Sequence, residues 1–368
     1  MVKLIWEGKS DNFAKLEDLK NKYRYYFKKF EVNSKNNEIK NQNSLNKEVW
    51  INKLFWGNNL EVLYHLLNNF KDRIDLIYID PPFYSGTNYQ IKIEEKDTIY
   101  NTIAYYDHWK QDLDSYLQML YERLILIKRL LSKTGLIFIH LDWHASHYIK
   151  LILDEIFGEK RFVNNIIWHY YNKYSAGKKN LPRAHDDILV FSKSSKYTFN
   201  ELRILRKKPK KQLMREMIDG VLKNVKDRNG HVRYRIVTDK KMDDVWRIPC
   251  MQPASNEWTG YPTQKHHRLL ENIIKLGSNE GDLIADFFCG SGTTLIVAEK
   301  LNRKWIGCDI SEYSIYLTRK RILNFQEKKN NSSINITPFE IYTNCTEKRK
   351  KIIESGFFEK EIRIGRKK

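Results

Sequence analysis

The sequence predicts an α/β protein built on a doubly wound, mainly parallel sheet, with a small module inserted into it. Three observations carry that prediction. Strand-like apolar runs alternate with helix-period segments between residues 48 and 326, an order that yields parallel strands covered on both faces. Two of the runs end in an acid and a tight loop, "LIYIDPPF" at 76–83 and "DLIADFFCGSG" at 282–292. One block, 195–243, breaks the alternation and carries 15 basic against 6 acidic residues.

Taken in order, Phe13, Leu16, Leu19, Tyr23, Tyr26, Phe27 and Phe30 recur at helical spacing, so a helix is expected across 11–30. Residues 33–47 are polar and aperiodic and read as a linker. Segment 1–47 is thus an N-terminal helix and linker. The first half of the main domain, 48–194, should hold strands at 50–56, 74–80, 135–141, 163–170 and 186–192, with helices near 59–70, 109–132 and 145–157. The block 195–243, with "RILRKKPKKQLMREM" and "KDRNGHVRYRIV", interleaves basic and apolar residues and reads as the inserted module. The second half, 244–326, should hold a helix at 263–276, a strand at 282–288, a helix at 293–302, a strand at 304–309 and a helix at 312–326. Residues 327–368 are a basic C-terminal extension.

The chain has 368 residues and a net charge of +20. Such an excess suggests a polyanionic partner, nucleic acid before membrane. Its distribution sharpens the point: the two halves 48–194 and 244–318 are neutral and −2, whereas 1–47, 195–243 and 319–368 carry +5, +9 and +8. Compositional drift would spread the charge evenly. The four cysteines (Cys250, Cys289, Cys308, Cys345) form no C-x-x-C pair and no metal-ligand spacing, which suits a reducing interior. No apolar run approaches a membrane span, and the N-terminus lacks the apolar core of a signal peptide. A soluble, cytoplasmic protein without a membrane partner is expected.

The two acid-ended loops carry the chemistry. Pro81 and Pro82 can neither extend a sheet ladder nor continue a helix, so the strand before them must stop at Asp80. In the second loop, Gly290, Ser291 and Gly292 precede a helix start at Thr293, and the next strand ends in Asp309. Glycines there permit positive φ and close approach of a ligand, and a helix start offers free N–H groups to an anion. An acid closing the following strand suits the hydroxyls of an adenosine ribose. With no lysine after the glycines, the loop is not a phosphate-cradling P-loop. Both loops belong at the carboxyl edge of one sheet, where open α/β folds bind ligands.

"DPPF" (80–83), "YPTQK" (261–265) and "DFFCGSGTT" (286–294), in that order, resemble the amino-group DNA methyltransferases of permuted β order. The resemblance covers roughly 48–326 and extends to bacterial modification methylases, including type III modification subunits. Three departures stand out: Phe287 where the family usually has proline, Asp309 for the more common Glu, and His266 where proline is usual. None removes a group the reaction needs.

The resemblance implies a Rossmann-like methyltransferase fold in circularly permuted motif order. It implies transfer of a methyl group from S-adenosylmethionine to the exocyclic amine of adenine in duplex DNA, as in restriction–modification or orphan systems. The Asp80 carboxylate and the Pro81 carbonyl would accept the amine's N–H groups, with Pro82 holding them rigid and Phe83 stacking on the flipped base. Asp286, Phe287, Phe288, Cys289, Gly290, Ser291, Gly292 and Thr293 would line the methionine end of the cofactor together with Asp80. Asp309 would take the ribose, and Thr263 and Lys265 would approach from the opposite side. Lys207, Lys208, Lys210, Lys211, Arg233 and Arg235 are the expected DNA contacts. A homodimer and a cognate restriction subunit are open as further partners.

Two motifs point elsewhere. His140, Asp142 and His144 in "IHLDWH" alternate like metal ligands but lack a fourth, so a strand-end polar cluster is expected and no metal. "IPCMQP" (248–253) resembles the Pro-Cys of cytosine-carbon methylases but lacks their preceding glycines, so Cys250 reads as structural. Three other functions stay open: methylation of the cytosine amine, a non-catalytic DNA-recognising subunit of the same fold, and a nicotinamide oxidoreductase. The paired motifs and the basic block disfavour the last. Charge does not separate DNA from RNA.

Overall fold

The computed structural model describes residues 3–9, 16–24, 26–33, 50–95, 98–105, 107, 112–173, 179–329 and 337–364. It divides into two units: one formed by 1–199 with 245–368, the other by 200–244.

In the larger unit, α1 (Leu16–Tyr23) and β1 (Lys28–Asn33) precede β2 (Asn52–Trp56), α2 (Asn59–Phe70) and β3 (Ile74–Ile79). A hairpin, β4 (Tyr89–Glu95) and β5 (Thr98–Tyr105), leads to α3 (Leu113–Leu130), β6 (Leu131–Leu141) and α4 (Ser146–Phe157). Strands β7 (Phe162–His169) and β8 (His185–Ser192) follow. The smaller unit contains β9 (Arg203–Leu213), β10 (Arg215–Ile218), β11 (Val221–Asn224) and β12 (Tyr234–Lys241). The chain then re-enters the larger unit through β13 (Val245–Arg247), α5 (His267–Gly277), β14 (Leu283–Asp286), α6 (Thr293–Lys300), β15 (Lys304–Asp309) and α7 (Glu312–Lys329). It closes with β16 (Phe339–Thr343), α8 (Glu347–Glu354) and β17 (Ile362–Ile364).

Ten strands form one sheet in the order β1-β16-β2-β15-β14-β3-β6-β8-β7-β13. The run from β16 to β6 is parallel, while β1 and β8 pair antiparallel with their neighbours. Side chains of a strand alternate between faces. Ile77, Ile79, Ile137 and Ile139 therefore share one face, in a buried cluster with α2, α3 and α4. Leu76 and Phe138 point the other way and meet α5 at Gly277, where an added Cβ would lie 2.8 Å from Leu76 and 2.9 Å from Phe138. Both faces are thus covered, which is why the central strands read as unbroken apolar runs.

The chain leaves β3 toward β6 on one side and leaves β14 toward β15 on the other, while β3 and β14 are neighbours. That reversal is the topological switch point, where the carboxyl ends of the strands open a crevice.

Two expectations need correction. The helix expected across 11–30 is described only from Leu16 to Tyr23, and Lys28–Asn33 is a strand paired with β16. Phe27 packs edge-on against Phe55 and His65, so sheet pairing and aromatic packing override the helical spacing of Phe27 and Phe30. Phe13 and residues 34–47 of the expected linker lie outside the described residues. The C-terminal segment is also more than an extension: β16 sits between β1 and β2 with Phe339 and Ile341 fully buried, and β17 pairs with β4. Among the described residues, no helix is long and apolar enough to cross a membrane.

Candidate active site

A cleft of about 580 Å³ opens at the switch point, bounded by the loops after β3, β14 and β15, the β4–β5 hairpin and the segment before α5. Asp80, Pro81, Pro82 and Phe83 line it from β3; Asp286 to Ser291 and Thr293 from β14; Asp309 to Glu312 from β15; and Thr263 to Lys265 from the opposite wall.

The D-P-P-F loop is held from behind. Tyr116 of α3 donates its hydroxyl to the Pro82 carbonyl at 2.8 Å. The buried Asp107 accepts N–H bonds from Tyr84 and Ser85, both at 2.9 Å, and Tyr84 adopts φ of +63°. These bonds fix a strained backbone turn that the loop would not hold alone. Asp80 pairs with Lys265, whose ammonium also lies 5.4 Å over the Phe83 ring and 3.3 Å from the Thr263 carbonyl. The other Asp80 oxygen, Oδ1, is buried and has no hydrogen-bond partner among the described residues.

In the glycine loop, Asp286 accepts from Thr294 Oγ1 at 2.6 Å and from the Phe288 N–H at 3.0 Å. Burial pushes its carboxyl up to about 7, with Asp80 and Asp309 adding to the rise against those two bonds. Asp309 accepts from the N–H groups of Gly290 (2.8 Å) and Ser311 (2.9 Å), one on each oxygen. Burial raises this carboxyl too, opposed by the same N–H groups. Gly292 has φ of +75° and an added Cβ would meet Thr318 Oγ1 at 2.5 Å, so it shapes the start of α6 behind the cleft wall. Gly290, at φ +50°, backs onto the Tyr261 ring.

Thr263 also adopts positive φ, +58°, and its hydroxyl bonds Tyr105 of β5 at 3.1 Å. The hairpin wall of Thr102, Ala104 and Tyr105 was not anticipated from sequence, nor were Asn58 and Asn59 at the floor. The alternation of Tyr89, Ile91 and Ile93 with Gln90 and Lys92 in β4 is the signal that could have found it. His140 is fully buried, not paired with His144 in a metal-like set; among the described residues no cluster of His, Cys, Asp and Glu could hold a metal ion. Cys250 is half-buried and its N–H donates to Asn172.

In the smaller unit, Lys207, Lys208, Lys210, Lys211, Arg233 and Arg235 are all exposed. β9 and β12 pair antiparallel, placing Lys211 opposite Ile236 and Gln212 opposite Arg235, and Lys211 lies 4.5 Å over the Tyr234 ring.

Fold and cleft together define the class: an α/β chain with a ligand-sized cleft at the switch point of a parallel sheet. The chain belongs to the N6/N4 DNA methylase family, whose model matches residues 74–320. It is 29% identical over 323 residues to the type II methyltransferase M.EcaI of Enterobacter cloacae, covering 73% of this chain and 69% of that protein. It is 31% identical over 252 residues to the DNA adenine methyltransferase YhdJ of Escherichia coli, covering 68% and 76%. The Mod subunit of the type III restriction-modification enzyme StyLTI of Salmonella typhimurium is 28% identical over 343 residues, covering 71% of this chain and 52% of that protein. Among solved structures, the cytosine-N4-specific PvuII DNA methyltransferase aligns with a TM-score of 0.49 at 16% identity, over 85% of this chain and 95% of that one.

Proposed function

We propose that this DNA methylase transfers the methyl group of S-adenosylmethionine to the N6 amine of adenine in duplex DNA, with the base flipped into the cleft. The observation that carries the reading is the seat on Asp80. A nitrogen cation, the Lys265 ammonium, rests on that carboxylate beside the face of Phe83. A methylated amine develops the same positive charge and N–H donors, so the seat is complementary to it.

The cleft fits the cofactor. Its volume of about 580 Å³ lies in the range of small-ligand sites. Asp309 lines the cleft where its carboxylate would meet ribose hydroxyls, and the loop Asp286, Phe287, Phe288, Cys289, Gly290, Ser291 with Thr293 presents backbone to the methionine end. Thr263 and Lys265 face it from the other wall. When bound, the cofactor supplies an electrophilic methyl group on a sulfonium. The protein's share is positioning: Asp80 and the Pro81 carbonyl orient the amine, Phe83 stacks on the base, and the rigid loop keeps them in line.

The exposed lysines and arginines of the smaller unit are assigned to DNA, where phosphate contacts position the protein and a separate set of side chains reads bases. A cytoplasmic setting, a second copy of the chain and a cognate restriction subunit complete the proposal; copurification and light scattering test the last two. The deciding experiment is sequencing of methylated bases in DNA from cells expressing the chain. N6-methyladenine at one recurring sequence is expected. N4-methylcytosine would change the base, and unmethylated DNA would overturn the reading.

A further inference from the structure

We propose that His140 and Asp186 form a buried relay behind Asp80 that receives the proton released when the target amine is methylated. The proposal rests on the reading of Asp80 as the acceptor of that amine.

His140, near the end of β6, is fully buried, an unusual place for a group with no assigned task. Its Nε2 lies 3.1 Å from Asp186 Oδ2, at the start of β8. A carboxylate only accepts, so Nε2 carries the hydrogen and Nδ1 presents its lone pair. The Tyr78 hydroxyl donates to Nδ1 at 3.0 Å, and Nδ1 lies 3.8 Å from Asp80 Oδ1, the carboxylate oxygen that lacks a partner. Trp168 (5.3 Å, edge-on) and Phe83 (5.7 Å) close the sides of the ring.

Methyl transfer to a neutral amine leaves a cationic nitrogen that must lose a proton. The N–H bond breaks, its electron pair stays on nitrogen, and the proton goes to the Asp80 carboxylate. The Asp80 carboxyl then turns its protonated oxygen toward His140 and the proton passes to Nδ1, leaving Asp80 a carboxylate again, while the Tyr78 hydroxyl turns to accept from the new N–H. The imidazolium is balanced by Asp186, as a carboxylate orients and stabilises a histidine in a catalytic triad.

The surroundings suit the role. Burial would raise the Asp186 carboxyl, but the hydrogen bond from His140, with the Lys265 charge and the Tyr170 hydroxyl, holds it below the usual carboxylate range, so it stays anionic. Burial pushes the Tyr78 phenol well up, so it remains a neutral donor. The titratable and charged groups facing the relay are Tyr78 from β3, Asp80 just after β3, Lys265 from the segment before α5, Asp186 from β8, Tyr170 after β7, and Asp142 just after β6. Asp80 is a catalytic residue in this scheme; His140 and Asp186 act through it and are positioning residues.

The test compares wild type, His140→Gln and Asp186→Asn in single-turnover methyl transfer across pH 5.5 to 9, with DNA and S-adenosylhomocysteine binding measured in parallel. Wild type should show a pH dependence of rate that reports the relay's imidazole. Both variants should be slower by about 10²-fold, the usual scale for a removed proton acceptor; His140→Gln, with no titrating ring, should lose that pH dependence, and Asp186→Asn, with the ring but not its counter-charge, should shift it. Their binding should stay within about threefold of wild type, on the scale of one weak hydrogen bond. A variant with wild-type rate and the same pH profile overturns the relay. Because His140 is buried, nitrogen-labelled histidine NMR of the wild-type protein adds a readout independent of turnover and of variant folding. The Nε2–H tautomer is expected at His140, and an Nδ1–H tautomer overturns the proposal. If wild type methylates no DNA, the reading of the whole site fails, and the relay with it.

Discussion

Lys265 donates to the carboxylate of Asp80 although 185 residues separate them, which joins the loop after β3 to the segment before α5 across the cleft. On the proposed function this carboxylate receives the amine, and its removal is the most direct test. Asp80→Ala should depress single-turnover methyl transfer on the order of 10²–10³, as for other preorganised groups. Asp80→Asn keeps the shape and one acceptor and should retain more activity. DNA affinity should hold or rise in both, since a negative group facing a polyanion has gone. Activity within about tenfold of wild type in Asp80→Ala would move the reacting centre away from this loop.

Asp309→Ala should weaken the cofactor far more than DNA. It removes a charge-assisted acceptor worth roughly 1.5–3 kcal/mol, about 10- to 150-fold in affinity. It also strips the glycine loop of an anchor, because Gly290 N–H and Ser311 N–H both end on this carboxylate. Calorimetric titration with S-adenosylhomocysteine reads the effect, and Asp309→Asn separates charge from the backbone bonds. Unchanged affinity would place the adenosine elsewhere.

Asp286 makes stability depend on pH in a predictable direction. Burial raises its carboxyl from 3.8 to about 7 in the folded protein. The folded state then holds a proton that the unfolded chain has released, so this group's contribution is full below about pH 4 and is lost as pH rises to about 7. Each pH unit across that window corresponds to about 1.4 kcal/mol. Asp286→Asn should therefore melt higher than wild type at pH 8 and close to it at pH 4. An equal difference at both pH values would show that the carboxyl ionises normally.

Replacing Lys207, Lys208, Lys210 and Lys211 with Gln should weaken DNA binding and flatten its salt dependence. For every phosphate that a lysine no longer neutralises, the slope of log affinity against log salt should become shallower by about 0.9. Cofactor affinity should stay near wild type. An unaltered slope would make this exposed strand a solvated surface and nothing more.

Much of this was legible in the chain itself. The central strands and helices carry their own evidence: β3, β6 and β15 are apolar because both faces of the sheet are covered, and the alternation with helices dictates parallel pairing. The acid-ended loops announced the cleft because only a strand's carboxyl end can present Asp80, Asp286 and Asp309 together. The outer parts were less legible. Phe27 has helical spacing yet lies just before a strand, and Phe339–Thr343 is too short to declare itself, because so short a strand is stabilised by the strands it pairs with on both sides and not by its own pattern.

What the sequence determined by itself was the local physics: where the chain must turn, which faces are apolar, and which acids end strands. Only the tertiary structure decided the partnerships. It set Lys265 on Asp80, closed the cleft with the β4–β5 hairpin, and converted the metal-like "IHLDWH" into a buried His140–Asp186 pair. Such contacts join residues tens to hundreds of positions apart, and nothing in their own neighbourhoods encodes the distance between them. Sheet order and register bring them together, and those follow from burying the whole apolar surface at once.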